Sequence, residues 1–447
     1  MIQNKEIDAN APTPLKAPAI KTEANDNKLA SLVLDSQCKD SENLQLPQIF
    51  LCGNDYFEVV GWNNPDLGRI ETNLERRTIH NLTMRLGKDQ LAKLPYFDKM
   101  VNVPGHHKDY KRVFPSTNGN GCVNLYNPLD YELAEGTFET IMTLIRHIFG
   151  ELWLLGLDYL TILYRYPRHI LPVVCLVSKM QGTGKTTFLM FLSYLFGKNM
   201  QINNKAGLNS DFNSYARCLI VAFEELSSAK TFTDKIKELS TAKTTMLNEK
   251  HKDVVKIDAF LKIIICSNSE DDFIKANEED IRYLILKIDP IEEYDPQFEE
   301  KIKAEIPAFA KFLSEREIAH KEESRMWFHP DLLKTAQREK VIANSRSDCA
   351  KDIQSWVNDY CSENETVYIC ATIKDIANDI QPTYKRSEIE SALKNEFMLT
   401  PKDGRYTNYL RQGGNGRYYT LQRVEPDVEV INNAQQINIP NDSLLPF

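Results

Sequence analysis

A chain of 447 residues is long for a single hydrophobic core, so two or three domains are expected. Hydrophobic residues at 42% and charged residues at 26% are ordinary globular values, and no run approaches the roughly 18–20 uninterrupted apolar residues of a membrane helix. A net charge of −9 argues against a protein that coats nucleic acid with its whole surface, although a basic channel inside an acidic protein remains compatible with it.

Residues 1–46, rich in Ala, Asn, Asp, Lys, Pro and Ser, read as a disordered arm without the basic patch and apolar core of a secretory signal. The nine cysteines stand singly, with no CxxC and no Cys/His cluster, which suits a reducing cytoplasm and argues against zinc. Strand patterns at Ile49–Leu51 and Tyr56–Val60 open a small accessory region, 47–120, that ends in a turn-rich stretch at 116–121. Apolar periodicity then predicts two helices, Phe138–Phe149 and Leu152–Leu163, in a helical segment spanning 121–170. Strand–helix alternation runs from Val173 to about Asp289, and a helix follows over Gln297–Arg316. The predicted central α/β domain is therefore 171–325, followed by a charged linker 326–350, a small domain 351–424 and an acidic tail 425–447.

The run Leu171–Ser178 reads as a buried strand. It feeds Gly182-Thr183-Gly184-Lys185-Thr186-Thr187 and then an apolar helix to Phe196, stopped by Gly197. Strand, glycine-rich turn and helix form the setting of a P-loop. Glycines let backbone N–H groups curl around phosphates, the helix N-terminus favours an anion, and Lys185 reaches the β/γ oxygens. Thr186 is placed to hold Mg²⁺, so ATP and Mg²⁺ are the expected cofactors. In G-x-x-x-x-G-K-[ST] the first glycine would fall at 179, where this chain has Lys179.

A second apolar run, Cys218–Phe223, delivers Glu224-Glu225 at a strand end. Glu224 is assigned to the metal and Glu225 to orienting the attacking water, with the two roles exchangeable. A third strand, Leu261–Cys266, ends in Ser267-Asn268, where Asn268 can sense a γ-phosphate or simply open a turn. Arg282 precedes a fourth strand, Leu284–Ile288. It suits a finger onto a neighbouring subunit's nucleotide, or else a salt bridge with Asp280 or Glu279.

In this order the elements resemble the superfamily 3 helicases, AAA+ motors of the primase-helicase type found in phages and bacterial mobile elements. The residues carrying the resemblance are Asn124-Leu-Tyr-Asn-Pro128, Asp158-Tyr159-Leu160, Ser178 to Thr187, Phe212-Asn213, Glu224-Glu225, Cys266-Ser267-Asn268 and Arg282, across about 121–290. The resemblance implies a ring, a homo-hexamer, with single-stranded DNA in its channel and Arg282 acting in trans. It also implies that Lys250 and His251, followed by Lys252, sit on a hairpin that grips DNA backbone, where the bland alternative is a solvated charged turn. Region 47–120 is too short for the family's primase-polymerase, so a primase would be a separate partner.

In the small C-terminal domain, Ile353–Tyr360 and Ile373–Ile380 read as helices around a strand at Thr366–Cys370. Ser387-Glu388-Ile389-Glu390 reads as a capping box opening a third helix. Two strands, 405–411 and 417–423, joined by a glycine-rich turn at 412–416, complete a winged helix. Lys385, Arg386, Lys394 and Arg417 are its candidate contacts to duplex DNA, with a protein-contact role as the alternative. The combined expectation is an α/β protein with a P-loop core, a mixed N-terminal region and a C-terminal winged helix. It would work as a cytoplasmic, ATP-dependent DNA helicase in replication of a mobile element, with no membrane. The rivals are an AAA+ ATPase that remodels or loads without unwinding, and a nucleotide-controlled DNA-binding initiator.

Overall fold

The computed structural model describes residues 46–64, 69–204, 207, 213–224, 232–249, 254–291, 293, 295–380, 382–410 and 412–423. The predicted arm 1–46, except for its last residue, and the tail 425–447 lie outside them.

The centre of the molecule is a five-stranded, wholly parallel sheet. In chain order its strands are β8 (Val173–Val177), β9 (Met200–Asn203), β10 (Ile220–Phe223), β13 (Lys262–Ser267) and β14 (Tyr283–Lys287). Their spatial order is β14-β8-β13-β10-β9. β8, β10 and β13 are buried throughout, which is why they read as unbroken apolar runs. Alternate residues feed opposite layers. Val174, Leu176, Ile220, Ala222, Ile264 and Leu284 enter one core, while Val173, Cys175, Val221, Ile263, Ile265 and Ile285 enter the other.

The first core is completed by helices α2 (Glu139–Phe149), α3 (Trp153–Arg165), α4 (Lys185–Phe196) and α6 (Phe298–Glu315). Within residues 121–170, expected as a separate helical segment, α2 and α3 pack directly on the sheet as part of this layer. By length and composition 139–165 would pass for a membrane span. It is instead broken at Gly150, whose φ of +53° suits glycine, and its apolar residues pack against α4, α6 and the sheet.

The second core receives Ile236 from α5 (Thr233–Thr241) and Val341 and Ile342 from α7 (Ala336–Ser345). Segment 326–350, expected as a linker, thus contains a docked helix. Arg338 of α7 is almost wholly buried, yet its guanidinium donates to the carbonyls of Asn277, Glu278 and Asp280.

The N-terminal region builds a sheet of order β3-β2-β1-β4 from β1 (Ile49–Cys52), β2 (Asp55–Asn64), β3 (Arg69–Arg77) and β4 (Tyr96–Phe97). Phe50 is its core residue, stacked on Phe57 and edge-on to Phe97. The helix α1 (Ile79–Leu86) is pinned to it by Arg85, which joins Arg77 on the Glu58 carboxylate. A second sheet, β5-β7-β6, comprises Lys99–Val101, Cys122–Asn124 and Val113–Phe114. The fully buried Asn124 side chain accepts from Val103 and Tyr126 N–H and donates to the Val103 and Lys111 carbonyls, clipping the intervening loop.

The last unit contains α8 (Asp348–Glu363), β15 (Tyr368–Ala371), α9 (Ile373–Asp379), α10 (Arg386–Ser391), β16 (Lys402–Thr407) and β17 (Gly413–Gln422). Its antiparallel sheet has the order β15-β17-β16, and its own core holds Ile353, Val357, Ile369, Ile389 and Leu393. Two local readings are corrected here. The cap of α10 is Lys385, whose N–H donates to the Glu388 carboxylate, so Ser387 sits inside the helix. Gly413 to Gly416 are paired in β17 and do not form the turn; just before them, the Asn408 N–H donates to the Gln412 carbonyl. A Cβ on Gly414 would stand 2.6 Å from the Tyr406 ring, so that glycine makes room for Tyr406 to stack on Tyr418.

Candidate nucleotide site and nucleic-acid surfaces

The carboxyl ends of β8, β13 and β10 converge at one edge of the central sheet, where α4 begins. After β8 the chain turns through Gly182 (φ +68°) and Gly184 (φ +80°), conformations that exclude most other residues, and Gly184 is the N-cap of α4. Lys185 is therefore the first helical residue. Its Nζ donates to the Ser178 carbonyl at 3.3 Å, folding the side chain back over the loop. Burial lowers its affinity for a proton, offset in part by the charges around Cys266 and Glu270. Thr186 Oγ1 donates to Glu224 Oε1 at 3.4 Å, so the first turn of α4 meets the residue after β10.

Asn268 follows β13, the strand between β8 and β10, and is exposed at the same edge. The Ser178 N–H donates to the Ser267 carbonyl at 3.1 Å, which brings that turn beside the start of the loop. Lys185, Thr186, Glu224 and Asn268 are thus gathered at one edge. Thr183 is buried and Thr187 lies in the first turn of α4. Glu225 lies outside the described residues.

Arg282 is elsewhere. Its carbonyl accepts from Val173 N–H at the amino end of the sheet, about 17 Å from the loop by strand rise. Its guanidinium donates to Asp280 at 2.9 Å, so within the chain it makes the salt bridge and stays remote from the glycine-rich loop.

Sequence reading missed three groups around the loop. His147, at the end of α2, stands with Nε2 3.1 Å from the Thr183 carbonyl, an acceptor, which requires that nitrogen to carry the proton. Ile291 donates its N–H to the Gly182 carbonyl, and its side chain would lie 3.2 Å from a Cβ on Gly184. The third is Glu270, whose carboxylate accepts from the Lys179 N–H at 3.1 Å. Nothing in the sequence separates Glu270 from the acidic run around it.

The expected hairpin is present as β11 (Thr244–Leu247) paired with β12 (Val255–Asp258). Lys250, His251 and Lys252 lie outside the described residues. Asn213 grips the hairpin base: its Nδ2 donates to the Met246 carbonyl at 2.7 Å and its Oδ1 accepts from Asn248 N–H at 2.7 Å. Asp158 is wholly buried, paired with Arg316 and with His320, whose Nδ1 is 2.6 Å away. It also accepts from the Ala319 and His320 amides, which makes it a fastener of α3 to the segment after α6. Burial works against its charge, but His320 and Arg316 outweigh it and hold the carboxyl below its ordinary range. In the C-terminal unit Lys385, Arg386, Lys394 and Arg417 are all exposed, with Arg417 3.4 Å from Asp403.

Among the described residues no group of His, Cys, Asp and Glu is arranged to hold a metal by itself. The Thr186–Glu224 pair supplies only one hydroxyl and one carboxylate. That donor set suits Mg²⁺, which keeps several waters and takes further oxygens from phosphates.

A family model described as "Family of unknown function (DUF5906)" matches residues 176–282, from the end of β8 to Arg282. Comparison with curated proteins gives no match. Among solved structures, the chain resembles the apo structure of the NrS-1 C-terminal region (305–718) with a TM-score of 0.57 and 16% identity, covering 84% of this chain and 96% of that one. An A-form apo structure of the same region gives a TM-score of 0.57 at 17% identity, again over 84% and 96%. A structure titled "SCCmec type IV Cch - active helicase" aligns over 85% of this chain and 98% of that one, at a TM-score of 0.35 and 13% identity. At such identities the likeness to the NrS-1 region establishes a shared fold, that of a mixed α/β protein with a parallel sheet flanked by helices, consistent with a P-loop-like nucleotide-binding protein.

Proposed function

We propose that this chain is an ATP-hydrolysing motor on DNA, of the superfamily 3 AAA+ type, working in replication of a phage, plasmid or other mobile element. The observation that carries the reading is the meeting of Thr186 with Glu224, beside Lys185, at the carboxyl edge of a parallel sheet. A hydroxyl and a carboxylate that approach across an intervening strand, next to a lysine at a helix N-terminus, suit a Mg²⁺–triphosphate. Gly182, Thr183, Gly184, Lys185, Thr186 and Thr187 would hold the phosphates, and Thr186 with Glu224 the metal. Bound Mg²⁺ supplies charge neutralisation at the transferring phosphate. Asn268 and Glu225 would orient the attacking water. Arg282, remote from its own loop, would serve a neighbouring subunit in a homo-hexameric ring.

The DNA part of the reading is supported by the hairpin whose base Asn213 fixes, and by the exposed cations of the C-terminal unit. That unit's order of helix, strand, two helices and a two-stranded ribbon suits a winged helix, with α10 toward a duplex groove and β16–β17 as the wing. The domain reading is revised accordingly: 47–124 accessory sheets, about 125–346 motor, 347–423 winged helix.

The test is ATP hydrolysis by the full chain with and without single-stranded DNA. The reading expects Mg²⁺-dependent turnover stimulated by DNA and lost in Lys185→Ala. Hydrolysis indifferent to DNA would favour the remodelling ATPase, and nucleotide binding without turnover the initiator.

A further inference from the structure

The turn after β13 carries a carboxylate in contact with the entry to the phosphate loop. Glu270 is only 9% exposed. Its Oε1 accepts from the Lys179 N–H at 3.1 Å, its Oε2 lies 3.3 Å from Lys287 Nζ, and its own carbonyl accepts from Gln337 Nε2 of α7 at 2.8 Å. The entry is thereby fastened at two successive amides: Ser178 N–H to the Ser267 carbonyl, and Lys179 N–H to the Glu270 carboxylate. Burial pushes the Glu270 carboxyl up, but the Lys179 amide and the Lys287 ammonium together outweigh it, so the group is held ionised.

We propose that Glu270 is a positioning residue of the nucleotide site, holding the loop entry at Lys179 in the geometry that receives the phosphates, with Lys287 cancelling its charge. The proposal rests on the reading of residues 179–187 as an ATP-phosphate loop. The sequence has Lys179 where the general motif has its first glycine, and a charge-assisted hydrogen bond to that amide restricts the loop before any ligand arrives. Ordering that is already in place is not drawn from the binding energy of the nucleotide. A carboxylate so near a triphosphate would repel it unless neutralised, which gives Lys287, on β14, its part. Through Gln337 the same turn is tied to α7, and through the Ser269 N–H, which donates to Ser267 Oγ, to the end of β13.

The test uses the full chain, Mg²⁺ and a fluorescent ATP analogue for binding, together with steady-state ATPase kinetics. Glu270→Ala is expected to raise the analogue's Kd and the KM for ATP about tenfold, with kcat changed by less than about threefold, because the loss falls on loop geometry and not on chemistry. Glu270→Gln keeps an acceptor for the Lys179 amide and is expected to stay within about threefold of the parent. Lys287→Met leaves an uncompensated carboxylate and is expected to raise KM several-fold, and adding Glu270→Gln to it should restore the parental value. Unchanged Kd and KM in Glu270→Ala, or equal impairment of Glu270→Ala and Glu270→Gln, would overturn the proposal. Should Glu270→Ala fail to give a cooperative melt, the Lys287→Met cycle decides, and absence of rescue overturns it. Lys185→Ala separates the two levels. If it abolishes binding while Glu270→Ala binds normally, only the Glu270 role falls. If Lys185→Ala binds like the parent, the nucleotide-site reading falls with it.

Discussion

Thr186 Oγ1 and Glu224 Oε1 lie 3.4 Å apart, joining the first turn of α4 to the end of β10 over the intervening strand β13. Neither residue is near the other in sequence; the parallel order β8-β13-β10 places the start of α4 and the end of β10 at the same edge. A hydroxyl 38 positions from a carboxylate is brought within hydrogen-bond distance of it by topology.

That pair sets the first prediction. Glu224→Gln should bind ATP but lose Mg²⁺-dependent turnover by about 100-fold or more, since the amide carries no charge toward the metal. Thr186→Ala should shift the Mg²⁺ dependence to higher concentration. Parental Mg²⁺ titration curves in both variants would remove this contact from the site.

Asn213 carries the second. It makes two side-chain hydrogen bonds to the base of the β11–β12 hairpin. Asn213→Ala should loosen the hairpin and weaken single-strand binding about tenfold while leaving basal ATP hydrolysis within about twofold. The double variant Lys250→Ala with His251→Ala should show the same separation and a shallower salt dependence of binding. Equal losses of hydrolysis and DNA binding would contradict a hairpin role specific to nucleic acid.

The third concerns pH. Glu58, bonded by Arg85 and Arg77, has its carboxyl lowered from 4.5 to about 2. A depressed carboxylate stabilises the fold above its unfolded pKa, and that contribution fades as pH falls from about 4.5 toward 2. Glu58→Gln should therefore cost the N-terminal sheet about 2 kcal/mol at neutral pH, with the gap to the parent shrinking below pH ~4. Urea melts at pH 7 and pH 3.5 measure it. A gap that does not depend on pH would show that the charge of Glu58 contributes nothing.

Much of this was legible in the sequence. β8, β10, β13 and β14 stand out as apolar runs because both faces of a parallel strand are buried, and Gly182–Lys185 is marked by residue types that tight turns and phosphates require. What escaped has a common physical cause. Gln337 and Arg338 are polar residues that are nonetheless buried and donate to carbonyls, so a segment whose composition reads as a charged linker contains α7. Gly413 to Gly416 look like a turn but serve the stacking of Tyr406 on Tyr418 across two strands. Lys262 is a charged residue within the apolar run Leu261–Cys266, and it is buried at the start of β13, where it donates to the Phe260 and Pro167 carbonyls. Long-range pairing of this kind leaves no local mark.

The C-terminal unit gives the fourth prediction. Gly414→Val would drive a side chain into the Tyr406 ring and should destabilise that unit by about 1–3 kcal/mol. Arg386→Ala, an exposed change, should leave its melting unaltered while weakening duplex binding and reducing the salt slope by about one. Unaltered duplex affinity in Arg386→Ala would turn this unit toward protein contact.

The central claim is that ATP hydrolysis at Lys185, Thr186 and Glu224 drives movement on DNA, and strand displacement on a forked DNA substrate tests it most directly. With ATP and Mg²⁺ the full chain should release the displaced strand. Lys185→Ala, or substitution of a non-hydrolysable ATP analogue, should prevent release, and Lys250→Ala with His251→Ala should hydrolyse ATP without releasing it. Hydrolysis by the parent chain that never displaces a strand, at any fork length or salt concentration, would contradict the account.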